Sequence, residues 1–333
     1  MKLSILDQSP RSAEKTPKDA LDTSLRLAIA GEKLGYHRYW IAEHHDFPGL
    51  TSSAPEVIIS WIGARTKTIR LGAGAILLPH YKPYKVAETF NLLSTLFPGR
   101  IDLGIGRSPG GSAEASMALS GNFLENVKNL PSSLEELLHF LRDDFPEDHP
   151  FRALNPSPVP ASSPRPFVLG TSRKSAKLAA ENGTGYAFGQ FMGSHDPDII
   201  KDYKKYFAAS NGMDAPEAIL AVPVICAETE ELAERIAIPS LVWQLMIEKG
   251  EGAQGVPSFD EAKAYLKTDE DLERLDKLKA SMAIGSPKTI KAKLEGLIAE
   301  YGADEVMMVT ITHLEHEKIR SYELIAHECF SNG

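Results

Sequence analysis

RYWIAEHHDFPG, residues 38–49, is the stretch whose reading decides the fold. Arg38 to Ala42 form a mostly apolar run with two aromatic residues and an isoleucine, the composition of a buried strand. The run ends on Glu43, His44 and His45, and Phe47, Pro48 and Gly49 then read as a loop. Three adjacent ionisable groups are costly inside a core. EHH therefore reads as the lip of a strand that opens on a site.

Outward from this stretch, short apolar runs alternate with amphipathic ones. LSILD (3–7) is a strand. A helix follows, with Thr16 and Pro17 as N-cap and first position, Leu21, Leu25 and Ala28 at helical spacing, and Gly35 as its stop. After the EHH strand come a helix over 54–66, a strand IRLGAGAILL (69–78), a helix with Val86, Phe90, Leu93 and Phe97 on one face, and a strand RIDLGIG (100–106). FVLG (167–170), a helix from Ser172 to Asn182, GYAFG (185–189), a helix near 196–210 and AILAVPVICA (218–227) continue the pattern. A helix opened by Ser286 and Pro287 and closed by Gly302, the strand DEVMMVTI (304–311) and a last helix with Ile319, Tyr322, Ile325 and Cys329 complete it.

Eight strands alternating with helices predict a (β/α)8 TIM barrel, one domain over 1–333. An open doubly wound sheet stays as the alternative, because periodicity does not establish closure. Residues 146–166, rich in Pro and Ser, predict a long loop. Residues 250–283, Gly-rich and then charged, predict a solvated excursion or a mobile lid.

Lys and Arg total 36 against 45 Asp and Glu, a net charge of −9, which argues against nucleic acid or an anionic membrane as the main partner. The two cysteines, Cys226 and Cys329, form no metal or disulfide motif. No window approaches a membrane span and the first residues do not read as a signal peptide, so a cytoplasmic protein is expected.

Barrel chemistry sits at the C-terminal ends of strands. That rule selects Asp7 and Gln8, Glu43 to His45, Gly74 and Ala75, Gly106 and Arg107, Gly170 to Ser175, and Gln190. In GIGRSPGG (104–111), Arg107 offers a fork to a phosphate, or it is a surface residue on a tight turn. In GTSRKSAK (170–177), Ser172, Ser175 and the helix N-terminus form an anion site, or Ser172 is a simple N-cap. The glycines of LGAGAILLP (71–79) mark contact with a flat ligand or a cramped barrel interior. Alternation along the strand turns only one of His44 and His45 toward a given ligand. That histidine suits acid–base work. Metal ligation needs further ligands, for which His80 and Glu88 are available.

GYHRYWIAEHH (35–45), LGAGAILLPHYKPYKVAE (71–88), LFPGRIDLGIGRSPG (96–110), LGTSRKSAKLAAENG (169–183) and GADEVMMV (302–309) together resemble the bacterial luciferase-like flavin-dependent monooxygenases. LSILDQSP (3–10) further resembles a subgroup of luciferase family oxidoreductases. The resemblance runs along nearly the whole chain. It implies a barrel that binds reduced FMN (FMNH2) from a separate flavin reductase and uses O2 to oxidise a small organic substrate, in a homodimer. By motif it assigns catalysis to His44, the first histidine after Glu43; either Glu43 or a backbone carbonyl is available to fix the imidazole tautomer. It assigns FMN phosphate binding to Arg107, with Gly170, Thr171, Ser172 and Ser175. It assigns a non-prolyl cis peptide against the flavin to Gly74–Ala75. Gly106 stands where the light-emitting members carry a reactive cysteine, which argues against light emission. Three rivals stay open: a deazaflavin-dependent hydride transfer on the same barrel, a non-catalytic flavin-binding protein, and a metal-dependent hydrolase. Phe188, Phe191, Trp61 and Met192 read either as substrate walls or as core packing.

Overall fold

The structure, a computed structural model, describes residues 1–192, 195–209 and 213–330. Its strands are β1 (Lys2–Asp7), β2 (Arg38–Ile41), β3 (Arg70–Leu77), β4 (Ile101–Gly106), β5 (Arg165–Gly170), β6 (Gly185–Gly189), β7 (Ala218–Cys226), β8 (Ala283–Gly285) and β9 (Glu305–Val309). β1 to β7 pair in sequence and in parallel, β7 pairs with β9, and β9 returns to β1. The ring is closed, so the barrel expectation holds and the open sheet does not. The short β8 lies outside the ring, against Val224–Cys226 of β7.

Side-chain alternation divides the core in two. Leu6, Trp40, Ala42, Phe167, Ala187, Ile219, Met307 and Val309 fill the barrel interior. Their neighbours Ile5, Tyr39, Ile41, Val168 and Leu220 point outward under the helices. One end of the interior is polar. Arg38, at the start of β2 and wholly buried, bonds Asp102 at 2.9 Å and Glu305 at 2.8 Å, and also reaches Glu217. Burial opposes a charged Arg38, but the three carboxylates outweigh it and hold the guanidinium protonated. Its position fixes the orientation of β2, and so puts EHH at the other end.

Two expectations change. Residues 113–142, without an assigned element in the sequence reading, form helices Ala113–Ser120, Phe123–Lys128 and Leu130–Arg142 after β4. Residues 250–283, expected as an excursion or lid, do leave the barrel ring and are largely exposed, but they are folded and pack through one apolar face. They hold helices Phe259–Tyr265 and Asp269–Ala280, and Tyr265, Leu266, Leu275, Leu278 and Met282 pack on the helix Glu230–Glu248. Val256 also exchanges backbone hydrogen bonds with Arg11 and Ala13 in the loop after β1. The charged residues of KTDEDLERLDK hid that apolar face. The helix expected near 196–210 is Asp198–Lys205, and position 210 lies outside the described residues.

Candidate functional site

The lip of β2 separates its three ionisable residues. Trp40 and Ala42 point into the barrel, and parity carries His44 to the same side. Its backbone N–H donates to Ser52 O at 2.9 Å, and its buried Nδ1 has no hydrogen-bond partner among the described residues. Burial, with the neighbouring His45 adding to it, pulls the His44 pKa down to about 4. The ring is neutral at neutral pH, able to accept a proton.

Glu43 and His45, two residues apart, share the opposite side. The Glu43 carboxylate accepts from His45 Nε2 at 2.8 Å, Tyr81 Oη at 2.7 Å and the Leu77 backbone N–H at 3.0 Å. Of the two partners expected to fix the His44 tautomer, Glu43 is therefore taken by His45, and no carbonyl bonds His44 Nδ1 among the described residues. The period of two along an extended chain gives the carboxylate to His45 instead. Burial, then Glu43, raises the Tyr81 phenol far above its usual range, so it stays a donor. Glu56 lies close enough to Glu43 and His45 to feel their charge, and its Oε2 is buried without a partner among the described residues. Burial raises the Glu56 pKa, with the Glu43 charge acting in the same direction.

At the end of β3 the Gly74–Ala75 peptide is cis, as the resemblance implies, and the β3–β4 register shifts between Ala73 and Ile76. Gly106 pairs with Leu77, and a Cβ on Gly106 would stand 3.0 Å from Ala75 Cβ. Gly74, Ala75 and Gly106 are thus brought together. The glycines of LGAG answer to a cramped interior: a Cβ on Gly72 would stand 2.6 Å from Trp40 Nε1, and one on Gly74 would stand 2.8 Å from Leu6 Cδ1.

Arg107 is exposed and, among the described residues, has no hydrogen bond or ion pair. It shares a cavity of about 340 Å³ with Ser175 and Lys174. Ser172 caps the helix Arg173–Glu181, and Ser175 completes a reciprocal capping box. Ser175 Oγ also bonds Ser172 O at 2.7 Å and lies 3.1 Å from Tyr186 Oη. These hydroxyls are spent on the cap, and among the described residues the cavity's cations without an ion pair are Arg107, Lys128 and Lys174. Gly170 makes room for the cap, since a Cβ there would stand 2.2 Å from Ser175 Oγ. Thr171 is half-buried at the same turn.

Several other residues fall elsewhere. Asp7 faces out of the barrel. Burial pushes its pKa up, but Lys318 and the donors around it win and hold it ionised. Phe188 is fully buried in the outer core, Phe191 packs at the inner cluster, and Met192 is exposed. His80 and Glu88 bring no third ligand to the histidine pair: His80 Nε2 donates to Pro109 O at 2.9 Å, and Glu88 pairs with Lys85. Among the described residues, the three metal-capable groups His37, Glu217 and Glu305 gather within 4.8 Å. They lie at the opposite end of the barrel, where Arg38 already holds both carboxylates. Tyr81, Glu56 and the role of His80 were missed. Only their polar character after a strand, or at a helix start, pointed to them.

A sequence profile of luciferase-like monooxygenases matches residues 1–305. The chain is 37% identical over 328 residues to the N-acetyl-S-alkylcysteine monooxygenase of Bacillus subtilis (strain 168), covering 98% of this chain and 97% of that protein. It is 41% identical over 325 residues to protein YceB of the same organism, covering 97% and 98%. The crystal structure of apo-MsnO8 superposes with a TM-score of 0.88 at 33% identity, covering 98% of this chain and 97% of that one. Two more distant structures share the fold. One is the oxygenating constituent of a Pseudomonas putida 3,6-diketocamphane monooxygenase in complex with FMN, with a TM-score of 0.71, 21% identity, and 98% and 97% of the two chains covered. The other is an F420-dependent secondary alcohol dehydrogenase, with a TM-score of 0.69, 14% identity and 97% of each chain covered.

Proposed function

The chain belongs to the luciferase-like monooxygenase family, and on that premise we propose that it binds reduced FMN, delivered by a separate flavin reductase, and uses O2 to oxygenate a small organic molecule. The observation that carries this reading is the pairing of two unsatisfied groups at one end of the barrel: an uncompensated Arg107 on its cavity and a half-buried, neutral His44 whose Nδ1 has no partner among the described residues. An anion is what the first lacks, and the FMN phosphate would meet Arg107 beside the Ser172–Ser175 helix start. The bound flavin supplies the redox chemistry with O2. His44 would accept or return a proton beside it, since its pKa leaves the imidazole neutral. Water kept from a bound flavin at this lip would limit loss of oxidising equivalents as hydrogen peroxide.

The 37% identical relative is named for its action on N-acetyl-S-alkylcysteine. That name makes thioethers a first substrate class to screen. Val57, Leu92 and Leu96 are exposed on the packed helices Pro55–Gly63 and Pro83–Leu96, the face we assign to a homodimer. The second reading, hydride transfer from a deazaflavin, rests on the F420-dependent fold neighbour. The test is oxygen uptake with a flavin reductase, NAD(P)H, FMN and a thioether panel. Substrate-dependent uptake with an oxygenated product supports the proposal. FMN binding without such uptake for any compound favours a non-catalytic flavin carrier.

A further inference from the structure

Arg107 cannot be held in place by its own side chain, which makes no bond among the described residues. The turn that carries it is held instead. The His45 backbone N–H donates to Gly110 O at 2.8 Å, and Ser112 Oγ donates to Asp46 Oδ2 at 2.6 Å. His80 Nε2 meets Pro109 O at 2.9 Å. A carbonyl only accepts, so Nε2 carries the proton. The fit is close: a Cβ on Gly111 would stand 2.0 Å from His45 O, and one on Gly110 would stand 2.2 Å from Leu77 Cδ1.

Behind this seat stands a chain of rings. The His80 ring stacks on Phe123 at 4.9 Å and meets the His45 ring edge-on at 5.8 Å and 84°. His45 is oriented by Glu43, whose carboxylate also takes Tyr81 and the Leu77 N–H. One buried carboxylate therefore ties the lip of β2, the end of β3 and, through two imidazoles, the turn after β4.

We propose that Glu43, His45 and His80 are positioning residues that set the Arg107 turn for the phosphate end of the cofactor, while His44 alone of the pair serves the reacting end. This rests on the flavin reading above. The division explains why two histidines follow Glu43: alternation sends one to the chemistry and the other to the anchor. Glu43 acts at a distance here, through rings that touch the turn, and does not itself contact the cofactor.

The test measures dissociation constants for FMN and for riboflavin, which lacks the phosphate. The protein is the full chain and its variants Glu43→Gln, His80→Ala and His80→Gln. The ratio of the riboflavin to the FMN constant isolates what the phosphate contributes. Glu43→Gln and His80→Ala should each cut that ratio by roughly tenfold, the lower bound for losing a hydrogen bond to a charged group. His80→Gln keeps a donor for Pro109 O and should restore most of the ratio. Ratios equal to wild type, or both flavins weakened alike, would overturn the positioning role, since general loosening does not single out the phosphate. A wild-type protein that binds neither flavin would instead bring down the functional reading, and this inference with it.

Discussion

His44 gives the prediction that can be worked furthest. Burial lowers its pKa from 6.5 to about 4, so the folded protein resists protonating it while the unfolded chain does not. As pH falls from 6.5 toward 4 the unfolded state takes up a proton that the folded state refuses, and stability is lost through that window. The full shift corresponds to roughly 3 kcal/mol at low pH, and the part already lost at pH 5 is about 2 kcal/mol. The ring is partly exposed, and solvent screening brings the expected value at pH 5 to about 1–2 kcal/mol. The perturbation is His44→Gln, which removes the titration and keeps a polar side chain. The assay is urea denaturation of both proteins at pH 8 and pH 5. His37, also lowered to about 4 by burial, adds a loss of the same sign in both proteins. The quantity to read is therefore the difference between them: wild type should lose about 1–2 kcal/mol more than the variant on going to pH 5. Parallel losses would show that His44 is not held neutral by burial, and its place as a proton acceptor would fall with that.

Other expectations come from single contacts. Arg107→Ala should weaken FMN binding by roughly 1.5–3 kcal/mol, the range for hydrogen bonds to a charged group, with riboflavin unaffected; an unchanged FMN constant removes Arg107 from the site. Arg38→Met strips the counter-charge from buried Asp102 and Glu305 and should cost about 3–5 kcal/mol in chemical denaturation. A cost below about 1 kcal/mol would mean the carboxylates find protons or other partners without it. His44→Ala should leave FMN binding intact and raise the fraction of oxygen released as hydrogen peroxide in the reductase-coupled assay; unchanged coupling rules out its proton role.

The barrel was legible because its strands announce themselves twice, by composition and by the helices between them. Arg38 to Ala42 gave a strand and Glu43 its end, and closure followed once β6 met β7. What escaped notice was structure whose apolar face is thin. The helix Asp269–Ala280 buries Leu278 and half-buries Leu275 under a surface of acids and lysines, so its charge was read as solvation. β8 is three residues long and had no periodicity to show. At the site, alternation predicts different surroundings for the two histidines, and among the described residues His45 bonds Glu43 while His44 does not. Adjacency in sequence puts His44 beside Glu43, but the period of two along the extended lip brings His45 to its carboxylate. Tyr81 and Leu77, which complete the Glu43 cluster, lie 38 and 34 residues away. Nothing local in the sequence could have paired them.

The most direct test of the account is an anaerobic titration of the protein with reduced FMN and, in parallel, with reduced deazaflavin, followed by quenching of protein fluorescence. Saturable binding of reduced FMN, weakened by roughly tenfold or more in Arg107→Ala, and weaker binding of the deazaflavin are expected. Tight binding of the deazaflavin alone would contradict it and move this chain to hydride transfer.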